Sequence, residues 1–129
     1  MLLGLRTVIY PAPDLAAARS WWAGVLGVEP YFDEPFYVGF NVAGYELGLD
    51  PDGDPAVGPV TYWGVRDVDA AVAHFVAAGA VVRAAVQEVG GGIRVATVVE
   101  PSGAPVGLIE NPVFVLPEEL LGAGEGPGR

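Results

Sequence analysis

Strand-like and helix-like patterns take turns along this chain, and the sequence of turns occurs twice. From Leu5 to Tyr10 the residues are mostly β-branched or aromatic, and Pro11 and Pro13 end the run, so a strand is predicted there. Asp14 then serves as a helix N-cap. Leu15, Ala18, Trp22 and Val25 recur on one helical face until Gly27 closes the helix. Three short strands are expected near 29–32, 36–42 and 45–49, with turns supplied by 33–35 and Gly44. The second pass begins with a strand near 60–65 and a helix from about Val68 to Ala78. Asp67 caps this helix, Val68, Val72 and Phe75 form its buried face, and Gly79 stops it. Strands near 81–86, 93–99 and 106–110 complete the pattern. The glycines at 90–92 lead into a strand rather than a helix, which makes them a turn and not a phosphate cradle.

An offset of 53 residues sets Thr7 on Val60, Tyr10 on Trp63, Asp14 on Asp67, Ala17 on Ala70 and Trp22 on Phe75. A repeat of this length that occurs only twice predicts one domain built from two like modules, not an open array. Module one covers about 4–50, a linker dense in Pro, Gly and Asp covers 50–59 as a hinge, and module two covers about 60–113. The single domain spans 1–129, with a flexible tail expected over about 118–129.

Sixteen carboxylates face six arginines, a net charge of −10, which disfavours nucleic acid and anionic membrane surfaces as partners and favours neutral or cationic small ligands. The plainer reading of the same charge is solubility. Without cysteine there is neither disulfide nor thiolate chemistry. The longest stretch free of Asp, Glu, Lys and Arg, Ala70 to Val82, falls short of the about 20 apolar residues a membrane span needs. No export signal is evident, so a cytoplasmic location is expected. The lone histidine, His74, falls in the second helix and reads as a helix-surface residue. Asp50, Asp52 and Asp54 lack the glycine and glutamate positions of a calcium loop, and Ser20 and Ser102 stand in no nucleophile pattern.

The order β-α-β-β-β twice, with DL or DV at each helix start, WW in the first helix and EPSGAPVGLIE near the end, resembles the vicinal oxygen chelate superfamily. Glyoxalase I, extradiol dioxygenases and bleomycin-resistance proteins belong to it. The resemblance covers roughly 4–112 and implies an α+β fold, two βαβββ modules forming a curved mixed sheet around a cavity with helices outside. In metal-using members the ligands sit at the start of each module's first strand and on each module's last strand. By position these fall on Thr7, Val60 and Gly107, with Glu46 as the one plausible ligand on the last strand of module one. One histidine and one cavity carboxylate do not supply a non-haem iron triad or a catalytic zinc site, so no metal and no cofactor is expected.

Strand parity sets the candidate ligand-binding residues. If Thr7 faces the cavity, so do Ile9, Val60, Tyr62, Gly107 and Ile109, with Glu46 and Tyr37 from module one; several of these are small enough to leave a pocket. Three readings follow. The first is a metal-free small-molecule binder similar to the drug-sequestering branch, taking a cationic or planar organic ligand. The second is a metal-independent isomerase or lyase with Glu46 as catalytic general base, its pKa raised by an apolar cavity. The third is a metal-dependent glyoxalase or dioxygenase. A homodimer is expected, because sheet edges and apolar helix surface exceed what one chain covers.

Overall fold

The computed structural model describes residues 1–114. Ten elements follow in order: β1 (Leu2–Pro11), α1 (Leu15–Leu26), β2 (Phe32–Glu34), β3 (Tyr37–Val42), β4 (Tyr45–Asp50), β5 (Val60–Val65), α2 (Val68–Ala77), β6 (Val81–Gly90), β7 (Ile93–Val99) and β8 (Pro105–Glu110). The tail expected at 118–129 lies outside the described residues.

Each helix starts where its aspartate can cap it. Asp14 accepts a hydrogen bond from the Ala17 N–H at 3.1 Å, and Asp67 accepts one from Ala70 at 3.1 Å, satisfying amides that the first turn leaves unpaired. Gly27 ends α1 in the left-handed conformation, φ 72°, and its N–H returns to the Ala23 carbonyl.

The strands form one curved, open sheet in the order β2-β3-β4-β1-β5-β8-β7-β6. Within each module the first and last strands run parallel, β1 beside β4 and β5 beside β8. The modules join through the antiparallel pair of β1 and β5, where Thr7 faces Tyr62 and Ile9 faces Val60. The fold is thus the α+β arrangement of two βαβββ modules that the repeat implies, with both modules contributing to a single sheet.

Apolar residues of alternate parity pack beneath the helices. Ala12, Val38, Phe40, Leu47 and Leu49 form one buried cluster against Leu15, Ala18, Trp22 and Leu26 of α1. Val65, Ala96 and Leu108 form the other, around Val68 and Ala71 of α2, with Val72 and Phe75 against it. The opposite parity, carrying Thr7, Glu46 and Tyr62, faces the uncovered concave side.

Three expectations need correction. The short strand expected near 29–32 lies at Phe32–Glu34; all three of its residues are exposed, so no hydrophobic alternation marked it. Val25 is exposed rather than buried, because Leu26 and Ala23 turn the packed face of α1 away from it. The strands at 5–10 and 81–86 are longer, Leu2–Pro11 and Val81–Gly90, extended by pairing with β5 and β7 across bulges that the local sequence does not signal.

Candidate functional site

Four adjacent strands carry one row of residues across the concave face. Glu46 on β4 is level with Thr7 on β1, Thr7 with Tyr62 on β5, and Tyr62 with Gly107 on β8. Ile9 and Val60 form the next pair along, and Ile109 sits opposite Gly64. Strand parity therefore brings Thr7, Ile9, Glu46, Val60, Tyr62, Gly107 and Ile109 to one face. Tyr37 joins them from β3 through its hydroxyl.

Glu46 is the centre of the polar end. Buried Thr7 donates its hydroxyl to Oε1 at 3.2 Å, and Tyr37 donates to the same oxygen at 2.9 Å. The Tyr31 hydroxyl donates to Oε2. An ionised carboxylate is acceptor-only with about four lone-pair sites, so three hydroxyl donors occupy most of its capacity. No arginine or histidine pairs with it among the described residues. Burial pushes the Tyr37 phenol far above its ordinary range, and the charge of Glu46 and its hydrogen bond add to the effect. Tyr31 is raised in the same direction, first by burial, then by its bond to Glu46. Both phenols therefore stay protonated at neutral pH and act as donors.

The glycines explain how large rings reach this point. A Cβ on Gly48 would lie within 2.6 Å of Tyr37 Cζ, and one on Gly107 would lie 2.5 Å from Tyr62 Cγ. The hydroxyl end of Tyr37 and the ring of Tyr62 thus occupy the space over bare backbone. The space expected from small residues on this face is taken up in its middle by these two rings. Gly39 does the same for Tyr31 and Glu46, since its Cβ would come 2.7 Å from Glu46 Oε2 and 3.1 Å from the Tyr31 ring. Beside the carboxylate, below the level where β1 and β4 begin to pair, an open hollow of about 280 Å³ is lined by Leu5, Arg6, Thr7, Val8, Val42, Tyr45, Glu46 and Leu47.

Tyr31 was not among the residues singled out by sequence. It stands in the bend before β2, held by its N–H to the Gly39 carbonyl at 3.0 Å, and no strand parity applies to it. The only sequence signal for it is the glycine across from it, Gly39.

The metal positions implied by resemblance do not present ligands. Ile9 pairs with Gly48 as Tyr62 pairs with Gly107, so the repeat makes Gly48, not Glu46, the counterpart of Gly107. The positions in question then hold threonine, valine and two glycines. Among the described residues no three His, Cys, Asp or Glu side chains come together to hold an ion. His74 is exposed on α2, on the helix side of the sheet.

The glyoxalase/bleomycin resistance protein/dioxygenase superfamily profile matches residues 4–108, and the chain belongs to that superfamily. No curated protein matches it in sequence. Among solved structures it is similar to a superfamily member from Vibrio splendidus 12B01, with 20% identity, TM-score 0.60, and coverage of 82% of this chain and 97% of that one. It is also similar to a methylmalonyl-CoA epimerase variant from Streptomyces coelicolor in complex with 2-nitronate-propionyl-CoA, with 19% identity, TM-score 0.67, and coverage of 91% and 100%. A Mn(II)-bound glyoxalase from Novosphingobium aromaticivorans aligns with 22% identity and TM-score 0.65, over 84% of this chain and 39% of that one. At these identities the likeness is one of fold, and one fold carries many chemistries.

Proposed function

We propose that the protein binds a small organic ligand, planar and cationic, without a metal. The observation that supports this reading is the Glu46 carboxylate, held by three hydroxyls and paired with no cation among the described residues, on the same face as the Tyr37 and Tyr62 side chains. A positioned negative charge beside aromatic faces suits a flat cation, which stacks on the rings and gains from their quadrupole. Threonine, valine and glycine at the family's metal positions support the metal-free part of the reading, and a surface of net charge −10 favours approach of a cation. Sequestration of a drug-like compound is the role such a site serves.

The test is calorimetric titration with benzamidinium and with its neutral counterpart benzamide. Micromolar binding of the cation, at least about tenfold tighter than the amide and equalised by Glu46→Gln, is the expected result; tenfold corresponds to ~1.4 kcal/mol. Equal binding of the two, or stoichiometric metal retained by protein purified without chelator, overturns it.

The same carboxylate supports a second reading, a metal-independent isomerase or lyase with Glu46 as general base. Glu46→Gln separates the two, abolishing turnover in an enzyme and weakening only binding in a sequestering protein. We also propose a homodimer, supported by the apolar side chains of Met1, Leu2, Leu3 and Leu5, each more than 40% exposed along the start of β1. Light scattering at micromolar concentration checks it, and a monomer there refutes it.

A further inference from the structure

The two oxygens of Glu46 are not held alike. Oε1 takes its bonds from Thr7, which is buried, and from Tyr37 of β3, whose hydroxyl end sits over Gly48 of β4. Oε2 takes its bond from Tyr31 alone, a residue 63% exposed and outside every strand. The backbone of Tyr31 is tied by its N–H to the Gly39 carbonyl, and its ring rests over Gly39 at the surface, outside the strands that hold Tyr37 and Thr7.

We propose that Glu46 Oε2 is the atom that accepts the ligand's donor and that Tyr31 is a displaceable lid occupying this acceptor until the ligand takes it. The inference rests on the cation-binding reading above and divides the tyrosines by function. Tyr37 and Thr7 fix the carboxylate in place. Tyr31 competes with the ligand for it, and its aromatic ring, released from Glu46, is available to close over a bound flat molecule. No atom is exchanged in this step beyond one hydrogen bond replaced by another.

Substitutions that remove only the hydroxyl give opposite signs. Tyr31→Phe removes the competitor, so benzamidinium affinity rises about three- to tenfold, the range set by a hydrogen bond that no longer has to be broken. Tyr37→Phe leaves Oε1 short of a donor and lets the carboxylate swing, so affinity falls by a similar factor. Equal losses in both variants would mean that the two tyrosines hold the carboxylate jointly, and the lid assignment fails.

A second measurement needs no ligand. Tyr31→Phe lowers the melting temperature clearly less than Tyr37→Phe, because Tyr31 is the more exposed residue and water replaces its partner more readily, whereas Tyr37→Phe lowers it by several degrees. Comparable destabilisation by both overturns the proposal. If benzamidinium does not bind the parent protein, the functional reading fails, and the melting temperatures alone decide whether Tyr31 is a lid or a fixed part of the site.

Discussion

Val8 lies directly opposite Thr61 in the antiparallel pairing of β1 with β5, and these two residues are counterparts in the 53-residue repeat. The approximate two-fold axis relating the modules therefore passes between them. On either side of it the pairs Thr7 with Tyr62 and Ile9 with Val60 exchange places. The two halves of the concave face start from one plan and have diverged. Module one keeps a hydroxyl and a carboxylate, Thr7 and Glu46; the corresponding positions of module two hold Val60 and, by the register of Tyr62 with Gly107, Pro105. A ligand spanning the axis meets a polar end and an apolar end.

Tyr62 and Trp22 are expected to differ in what they contribute to stability. Trp22 packs against the buried cluster beneath α1 and meets the Tyr10 ring at a tilt, centroids 5.2 Å apart, so Trp22→Ala should cost about 3–5 kcal/mol. Tyr62 lies over Gly107 on the open face and packs against neither buried cluster, and Tyr62→Ala should cost clearly less while weakening ligand binding. Thermal denaturation of the two variants decides this. Equal, large losses would place Tyr62 in a filled core.

Gly48→Ala puts a methyl group where the Tyr37 hydroxyl lies, forcing that hydroxyl off Glu46. A loss of about 1–3 kcal/mol follows, typical of overpacking. The cost should vanish in a background lacking the ring, so Gly48→Ala with Tyr37→Ala should be little worse than Tyr37→Ala alone. Additive losses in denaturant titrations would show that the two positions are independent.

The turn joining β3 to β4 offers a gain. Val42 pairs with Tyr45, leaving Ala43 and Gly44 as a two-residue loop with φ of 54° and 94°. Both angles positive is the hairpin geometry in which Asn-Gly is preferred, and alanine is strained there. Ala43→Asn should stabilise the protein by about 0.5–1 kcal/mol, read as a higher denaturation midpoint. A lower midpoint contradicts the turn assignment.

Alkaline pH should unfold the protein in a way that depends on Tyr31 and Tyr37. Their phenols are raised in the folded state by burial and by Glu46, so the folded chain keeps protons that the unfolded chain releases at the ordinary tyrosine value of 10.0. The stabilisation is fully present below that value and is lost as the pH rises above it. Tyr37→Phe should weaken this pH dependence, which stability measurements above pH 10.0 can test. An unchanged slope would show that Tyr37 ionises normally in the folded protein.

The parts of this molecule that were legible in the sequence are those set by neighbours along the chain. Asp14 and Asp67 as caps, Gly27 as a stop and the glycine turn at 90–92 need only a few adjacent residues to be recognised. Strand parity also placed Thr7, Glu46, Tyr62 and Gly107 on one face. What parity does not give is register. That Gly48 rather than Glu46 matches Gly107 depends on how far β4 slides along β1, which is fixed by contacts remote in sequence. Tyr31 was out of reach for a related reason: it stands outside the strands, and its role depends on Gly39 leaving room for it.

The fit of Tyr62 over Gly107 restricts the order in which this site is able to evolve. An ancestor or descendant with a carboxylate at 107 needs room for that side chain, and the ring of Tyr62 fills it. The tyrosine has to shrink before the glycine grows. Taken the other way, with Gly107 changed first, the intermediate carries a clash in the middle of the sheet and is removed by selection for stability. The same dependence links Tyr37 and Gly48. One such dependence lies in each module, so a larger residue at either glycine is accommodated only together with a smaller residue in place of its tyrosine.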